Sequence, residues 1–282
     1  MNPTLSKSLS ELPEYRFVLA NLIARDLKVR YQDKALGFLW SLLHPAVLLG
    51  IWYLVFRHVV RMEIGGPRYW AYLIPGMLTY QFIQGAILDG SRAVRDNSGI
   101  VRKVYIPMEI LVCAAVTVKL IEFLIQLCIA LLLLGLLHGT GGLDGAGFSV
   151  SKTLVVLPGA VLLTYIFVLG VAMPLSGFTV LYRDLDHLIG LVLTALLYLS
   201  PIFWSLTMIA DRPWMPLFAL NPLADLIVLI RDPMYWGTWP SNLAVGGGAT
   251  ATWLAATAVS SLSFVVGYFL LGRVKHTLAE VV

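Results

Sequence analysis

Charge is scarce in this chain of 282 residues. Only 13% of its residues are Asp, Glu, Lys or Arg, against 59% hydrophobic, where soluble domains carry about 25% charged residues. That deficit, with a mean hydropathy of +0.82, excludes an ordinary soluble domain and points to a polytopic membrane protein. The net charge of +4 contains no long Lys/Arg block, so nothing suggests a nucleic-acid partner. Cysteine is nearly absent. Cys113 and Cys128 fall fifteen residues apart in one apolar run, about 22 Å along a helix axis. That is too far for a disulfide, and both read as small apolar side chains.

Catalytic signatures are missing too. No GxxxxGK[ST] pattern occurs, and Gly246-Gly247-Gly248 runs on into Ala249-Thr250, which excludes an ATP site of that kind. His44, His58, His138, His187 and His276 lie far apart without an HExxH or a metal-like pairing. No G-x-S-x-G elbow is present. The expectation is a chain without catalytic residues, metal or cofactor of its own, whose energy comes from elsewhere. The opening MNPTLSKSLSELPE is polar and lacks a cleavable signal, so the first span is expected to act as its own insertion signal.

What the chain has is long uncharged runs, and a bilayer core takes about 20 apolar residues per helix. They predict an all-α membrane protein, a single domain over 1–282, with six transmembrane helices at about 35–56, 69–90, 108–137, 153–180, 187–208 and 245–272. Pro201 interrupts the fifth. The stretch PWMPLFALNPLADLIVLI is broken by Pro213, Pro216 and Pro222 and reads as re-entrant or interfacial. Six spans put both termini on one side. With the N-terminus inside, thirteen Lys/Arg lie in the inner segments against six outside, Arg231 among the six, which places both termini in the cytoplasm. Asp89 is expected to end the second span at the cytoplasmic interface.

Residues 14–34 predict an interface helix. Val18, Leu19, Leu22, Ile23 and Leu27 share one face, and Arg16, Asn21, Arg25 and Lys28 take much of the other. Its cations suit anionic headgroups. It can be a simple anchor or also a contact for a soluble subunit. The loop from Ser91 to Ile110 carries turn residues at Asp96–Ser98, a breaker at Gly99, then Arg102, Lys103 and Pro107. It reads equally as a solvated loop or as a charged handle for a partner.

RDLKVRYQDKALGFLWSLLHP, then YLIPGMLTYQFIQGAILDGSRAVRDNSGIVRKVYIPMEIL, with YRDLDHLIG, SPIFW and NPLADLI further on, resemble the permease subunit of ABC-2 type exporters. The resemblance is nearest to those exporting lipid-linked O-antigen, capsule or teichoic-acid polymers. It implies a homodimer in the bacterial cytoplasmic (inner) membrane, bound to two copies of a separate ABC ATPase that holds the ATP and Mg. Arg92, Arg95, Asn97, Arg102, Lys103 and Tyr105 would then couple to the ATPase, flanked at the membrane surface by Arg25, Lys28 and Arg30. The pore would lie between two copies, lined by the first and fifth spans. The broken segment from Trp204 to Trp239 would form short outer-side gate helices.

Inside the third span, Lys119 and Glu122 stand at i, i+3 and can pair on one helix face. Such groups usually face a bundle interior or an aqueous path, and a structural pair and a proton relay are both open. Trp204, Trp214, Trp236 and Trp239 cluster on the outer side with Trp70, either as an interfacial belt or as flat platforms for sugar rings. Trp40, Trp52, Tyr53, Tyr198, Phe203 and Trp204 are the candidate lining of such a path. Two rivals remain at this point: an ABC-2 permease for a small hydrophobic drug or lipid, and a gradient-driven carrier or membrane enzyme.

Overall fold

The computed structural model describes residues 15–32, 39–62, 64, 69–101, 106–139, 152–182, 184–209, 211–213, 221–240 and 248–281. The described residues are helical, with α1 Arg16–Tyr31, α2 Leu39–Tyr53, α3 Tyr69–Asp96, α4 Ser98–Val101, α5 Met108–Gly139, α6 Leu157–Leu181, α7 Leu185–Leu199, α8 Pro222–Tyr235 and α9 Ala249–Val281. A π-helical turn, Leu54–Val59, continues α2, and a 3-10 turn, Lys152–Val156, leads into α6.

Cross-helix contacts fix the directions. Trp52 near the end of α2 meets Phe203 beyond α7, and Tyr69 at the start of α3 bonds the carbonyl of that same Phe203. Thr179 near the end of α6 bonds the carbonyl of Ser91 near the end of α3, and Lys275 near the end of α9 pairs with Glu109 at the start of α5. So α2, α5 and α7 run toward the Tyr69 end of α3, and α3, α6 and α9 run back toward its Asp96 end. This is an alternating bundle of six long or medium helices, with α1 packed on α5 at the Asp96 end and α8 tucked in at the other.

Four helical stretches are long and apolar enough to cross a bilayer: Leu42–Val59, Met108–Leu136, Lys152–Leu181 and Ala249–Lys275. The other two expected spans differ for physical reasons. Helix α3 has 28 residues, but Gln81, Gln84, Asp89, Arg92 and Arg95 dilute its apolar run. Helix α7 has 15 residues, about 22 Å against a core of about 30 Å, because the chain breaks at Pro201. Helix α8, at 14 residues, is likewise too short to span. Its N-cap Asn221 accepts a hydrogen bond from the Leu223 amide at 3.0 Å, and Pro222 opens its first turn. Leu223 to Tyr235 are all buried, so α8 is wedged into the bundle against α3, α6 and α9.

The core sits around α3, whose residues from Tyr69 to Tyr80 are buried without interruption, except for the half-buried Trp70. Away from it, Val47 and Ile51 of α2, Leu54 of the π-helical turn, Leu188, Leu191 and Val192 of α7, and Leu254, Leu262 and Phe269 of α9 are exposed, a surface suited to hydrocarbon rather than water. Helices α6 and α9 approach most closely through glycine. A Cβ built on Gly267 would lie 1.9 Å from the Gly170 oxygen, and one on Gly170 would lie 2.3 Å from the Ser263 carbonyl carbon. Small residues at such crossings let backbones touch where lipid supplies no hydrophobic drive.

Candidate coupling and translocation site

At the Asp96 end, α1, α3 and α5 meet in a charge cluster. The Arg30 guanidinium bridges two carboxylates, reaching Asp89 Oδ2 at 2.6 Å and Glu122 Oε1 at 3.1 Å. Lys119 Nζ lies 3.0 Å from Glu122 Oε2 and 3.6 Å from Asp89 Oδ2. The Tyr31 hydroxyl donates to Glu122 Oε1 at 2.6 Å. Two cations and two anions cancel, which is how charge is tolerated in such a place. Burial opposes the Arg30 charge, but the hydrogen bond to Asp89 and the fields of both carboxylates outweigh it and hold its pKa above the usual value. The stem of Lys119 crosses Gly85, where a Cβ would come within 3.3 Å of its Cε. A cavity of about 540 Å³ adjoins the cluster, lined also by His44, Gln81, Gln84 and Gln126 and by the apolar Phe82, Leu88 and Phe123. Lys119 and Glu122 are thus a pair, inside a larger network that their own spacing did not reveal.

The last turns of α3 reach outward in two directions. Arg25 Nη2 of α1 donates to Asn97 Oδ1 at 2.7 Å, while Asn97 Nδ2 donates back to the Ala93 carbonyl at 2.9 Å. Arg95 Nη2 lies 2.6 Å from Asp186 Oδ2 of α7, and Arg92 Nε lies 3.4 Å from Asp186 Oδ1. Beyond them α4 projects, with Ser98 and Gly99 exposed. Of the residues expected to couple, the structure therefore joins Arg25 to Asn97, Arg30 to Asp89, and Arg92 and Arg95 to one acid. Lys28 stands exposed. Arg102, Lys103 and Tyr105 lie outside the described residues.

At the Tyr69 end, the expected path residues separate into two settings. Trp52 packs on Phe203 with ring centres 4.5 Å apart and on Tyr198 edge-on at 5.8 Å. Phe56, in the π turn, stacks on Phe203 at 4.6 Å and 4°. Phe203 is thereby buried, whereas Tyr198 is half exposed. The Trp204 indole donates to the Tyr198 carbonyl at 3.2 Å. Tyr53 instead lies edge-on to His58 at 5.8 Å. The side chain of Trp40 and all of Trp214 lie outside the described residues.

Several residues of the site escaped the sequence reading. Arg231, counted there as an outer-segment cation, is 4% exposed within α8. It donates to the Tyr72 hydroxyl at 2.7 Å and to the Pro201 carbonyl at 2.5 Å, and stacks over the Tyr72 ring at 4.7 Å. Tyr72 in turn donates to the Trp204 carbonyl at 2.9 Å. Together they supply partners for the backbone freed by the break at Pro201. The sequence signal was an Arg in an otherwise apolar, Pro-started segment, the pattern that marks an intramembrane charge. Asp186 stood in view within YRDLDHLIG, but its partners come from a helix some ninety residues away in sequence.

Residues 18–235 match the ABC-2 type transporter family. The chain is 30% identical over 226 residues to the O-antigen export system permease protein RfbA of Myxococcus xanthus, covering 80% of this chain and 83% of that protein. It is 24% identical over 286 residues to an RfbA permease of Klebsiella pneumoniae, covering 100% of both. To the polysialic acid transport protein KpsM of Escherichia coli it is 24% identical over 219 residues, 77% of this chain and 80% of that one. The alternating bundle, the apolar spans and a match across most of its length make this chain a member of the ABC-2 type transporter family.

Proposed function

We propose that this chain is the channel-forming membrane subunit of an ABC exporter that carries a lipid-linked polysaccharide, of O-antigen or capsule type, across the cytoplasmic membrane. It works as a homodimer with two copies of a separate ATPase, and both termini lie in the cytoplasm. All six long or medium helices cross, α3 shielded by its neighbours and α7 completed by the break after it. Helix α1 lies in the interface, and α8 with the turn at Leu206–Ile209 forms the outer gate. The observation that carries this reading is the joining, where α4 projects, of the two N-terminal motifs: Arg25 with Asn97, and Arg30 with Asp89. A segment tied in this way to α1, α5 and α7 can pass a partner's movement into the spans, because states that bind the partner differently are shifted by it. The relatives' export of O-antigen and polysialic acid supports the glycan as cargo.

The test is co-expression with an ABC ATPase, purification, and measurement of ATP hydrolysis in proteoliposomes. A lipid-linked glycan is expected to stimulate hydrolysis severalfold, and the same lipid without glycan is not. Equal stimulation by both lipids overturns the glycan assignment. Purification of the chain without the ATPase, under conditions that retain its dimer, overturns the subunit arrangement.

A further inference from the structure

We infer that Asp186 is a positioning residue for transport, the point at which movement of the coupling segment is handed to α7. The inference rests on the reading of the α3 end as the element that a partner moves. Helix α7 is loosely held in the bundle. Only Ile189 and Leu193 of its 15 residues are buried, so apolar packing fixes it weakly. Its attachments are local. Midway, the Tyr80 hydroxyl donates to the Leu193 carbonyl. At its far end, Tyr69, Tyr72 and Arg231 hold the backbone of the break. At its near end, the ion contacts to α3 are those of Asp186 with Arg92 and Arg95.

The chemistry of that near-end contact suits a movable link. Asp186 sits in the first turn of α7, where the helix terminus favours an anion. Arg92 and Arg95 are one turn apart on α3, so both face it. One prong is fully made, Arg95 Nη2 to Oδ2 at 2.6 Å. The other is not: Arg92 Nε and Asp186 Oδ1 are both buried and without a hydrogen bond, although they face each other at 3.4 Å. Ordinary N–H···O bonds close at about 3 Å. A shift of roughly half an ångström, or a small turn of α3, would complete the second prong. Two arrangements of the same three side chains are therefore within reach, which is what a coupling element requires. Arg95 precedes α4 by three residues, so a partner gripping that segment moves both guanidiniums directly. Helix α7 is continuous from Asp186 to Leu199 and carries the motion to Tyr198 and Phe203, against Trp52 of α2.

The experiment uses the assembled complex with its ATPase in proteoliposomes and reads assembly, ATP hydrolysis and glycan transport separately. For D186N, assembly intact, hydrolysis within twofold of the parent and transport reduced at least tenfold are expected. D186E is expected to recover at least a third of transport. The exchange R95D/D186R is expected to exceed either single change. Unchanged transport in D186N overturns the inference. Hydrolysis and transport falling together, or in step with loss of intact complex, make Asp186 a purely structural anchor and overturn it as well, and so does an exchange no better than its single changes. A separate variant, R102E/K103E, tests the underlying reading through assembly alone. If that complex assembles normally, the handle is misassigned, whereas the D186N comparison still reports on the link between α3 and α7.

Discussion

The crossing of α6 and α9 sets the most quantitative expectation. Replacing Gly267 by Ala adds one methyl carbon, and its position is fixed by the backbone at 1.9 Å from the Gly170 oxygen and 2.7 Å from the Gly170 carbonyl carbon. No rotamer relieves a clash between a Cβ and a main chain. Non-bonded atoms settle near 3.5 Å, so the helices must part by about 1.5 Å over a stretch where Ser263 also bonds the Phe167 carbonyl at 3.1 Å. Overpacking commonly costs about 1–3 kcal/mol and more where nothing can yield. Here G267A is expected to cost about 3 kcal/mol or more. Gly135 and Gly190 are internal controls, since a Cβ at either meets nothing within 4 Å. At those sites Ala is expected to be neutral or to add up to about 1 kcal/mol, because glycine disfavours a helix by that amount. Reversible unfolding in mixed micelles measures all three. If G267A and G190A shift stability alike, the close approach of α6 and α9 is refuted.

The charge cluster predicts non-additivity. E122Q, which leaves Arg30 and Lys119 short of an anion, is expected to cost about 2–3 kcal/mol, and E122Q/K119M less than the sum of its single changes, in a double-mutant cycle on stability. R231M removes the donor to Tyr72 and Pro201 and should cost about 3 kcal/mol, whereas Y72F, losing one hydroxyl, should cost about 1 kcal/mol; thermal unfolding of the two variants gives the comparison. W52A uncovers Phe203 and opens a cavity, with an expected loss of about 3 kcal/mol and, in a transport assay, a larger effect on glycan export than on ATP hydrolysis.

The membrane class and most helix positions were legible because they depend on local runs. The expected segments 108–137 and 153–180 correspond to α5 and α6 within a few residues, since an uncharged stretch of that length has few alternatives. The fifth expected span ran on to 208 with Pro201 inside it, whereas α7 ends at Leu199, before that proline. The network around Glu122 was legible only in its i, i+3 half. Arg30, Tyr31 and Asp89 reach it from α1 and α3, and no periodicity relates helices that meet by folding. Arg25 and Asn97 were both named as coupling residues from motifs 72 residues apart in sequence, but their hydrogen bond was not foreseeable. Arg231 was counted as an outer-segment cation, but its burial was not foreseen, because its partners Tyr72 and Pro201 lie far away in sequence. In the structure, the carbonyls exposed by the Pro201 break give it a buried place. The glycine contact of α6 and α9 was hidden for another reason. The glycines of an apolar helix look alike in sequence, and only the crossing point separates Gly267 from Gly190.

ATP hydrolysis by a partner is proposed to drive a lipid-linked glycan through this chain. The most direct test of this coupling is glycan translocation in sealed vesicles holding the chain and an ABC ATPase, followed by the accessibility of the glycan to a lectin on the far side. Translocation is expected with ATP, but not with a non-hydrolysable analogue and not when the chain is omitted. Translocation that proceeds without the ATPase, driven by an imposed ion gradient, would contradict this coupling.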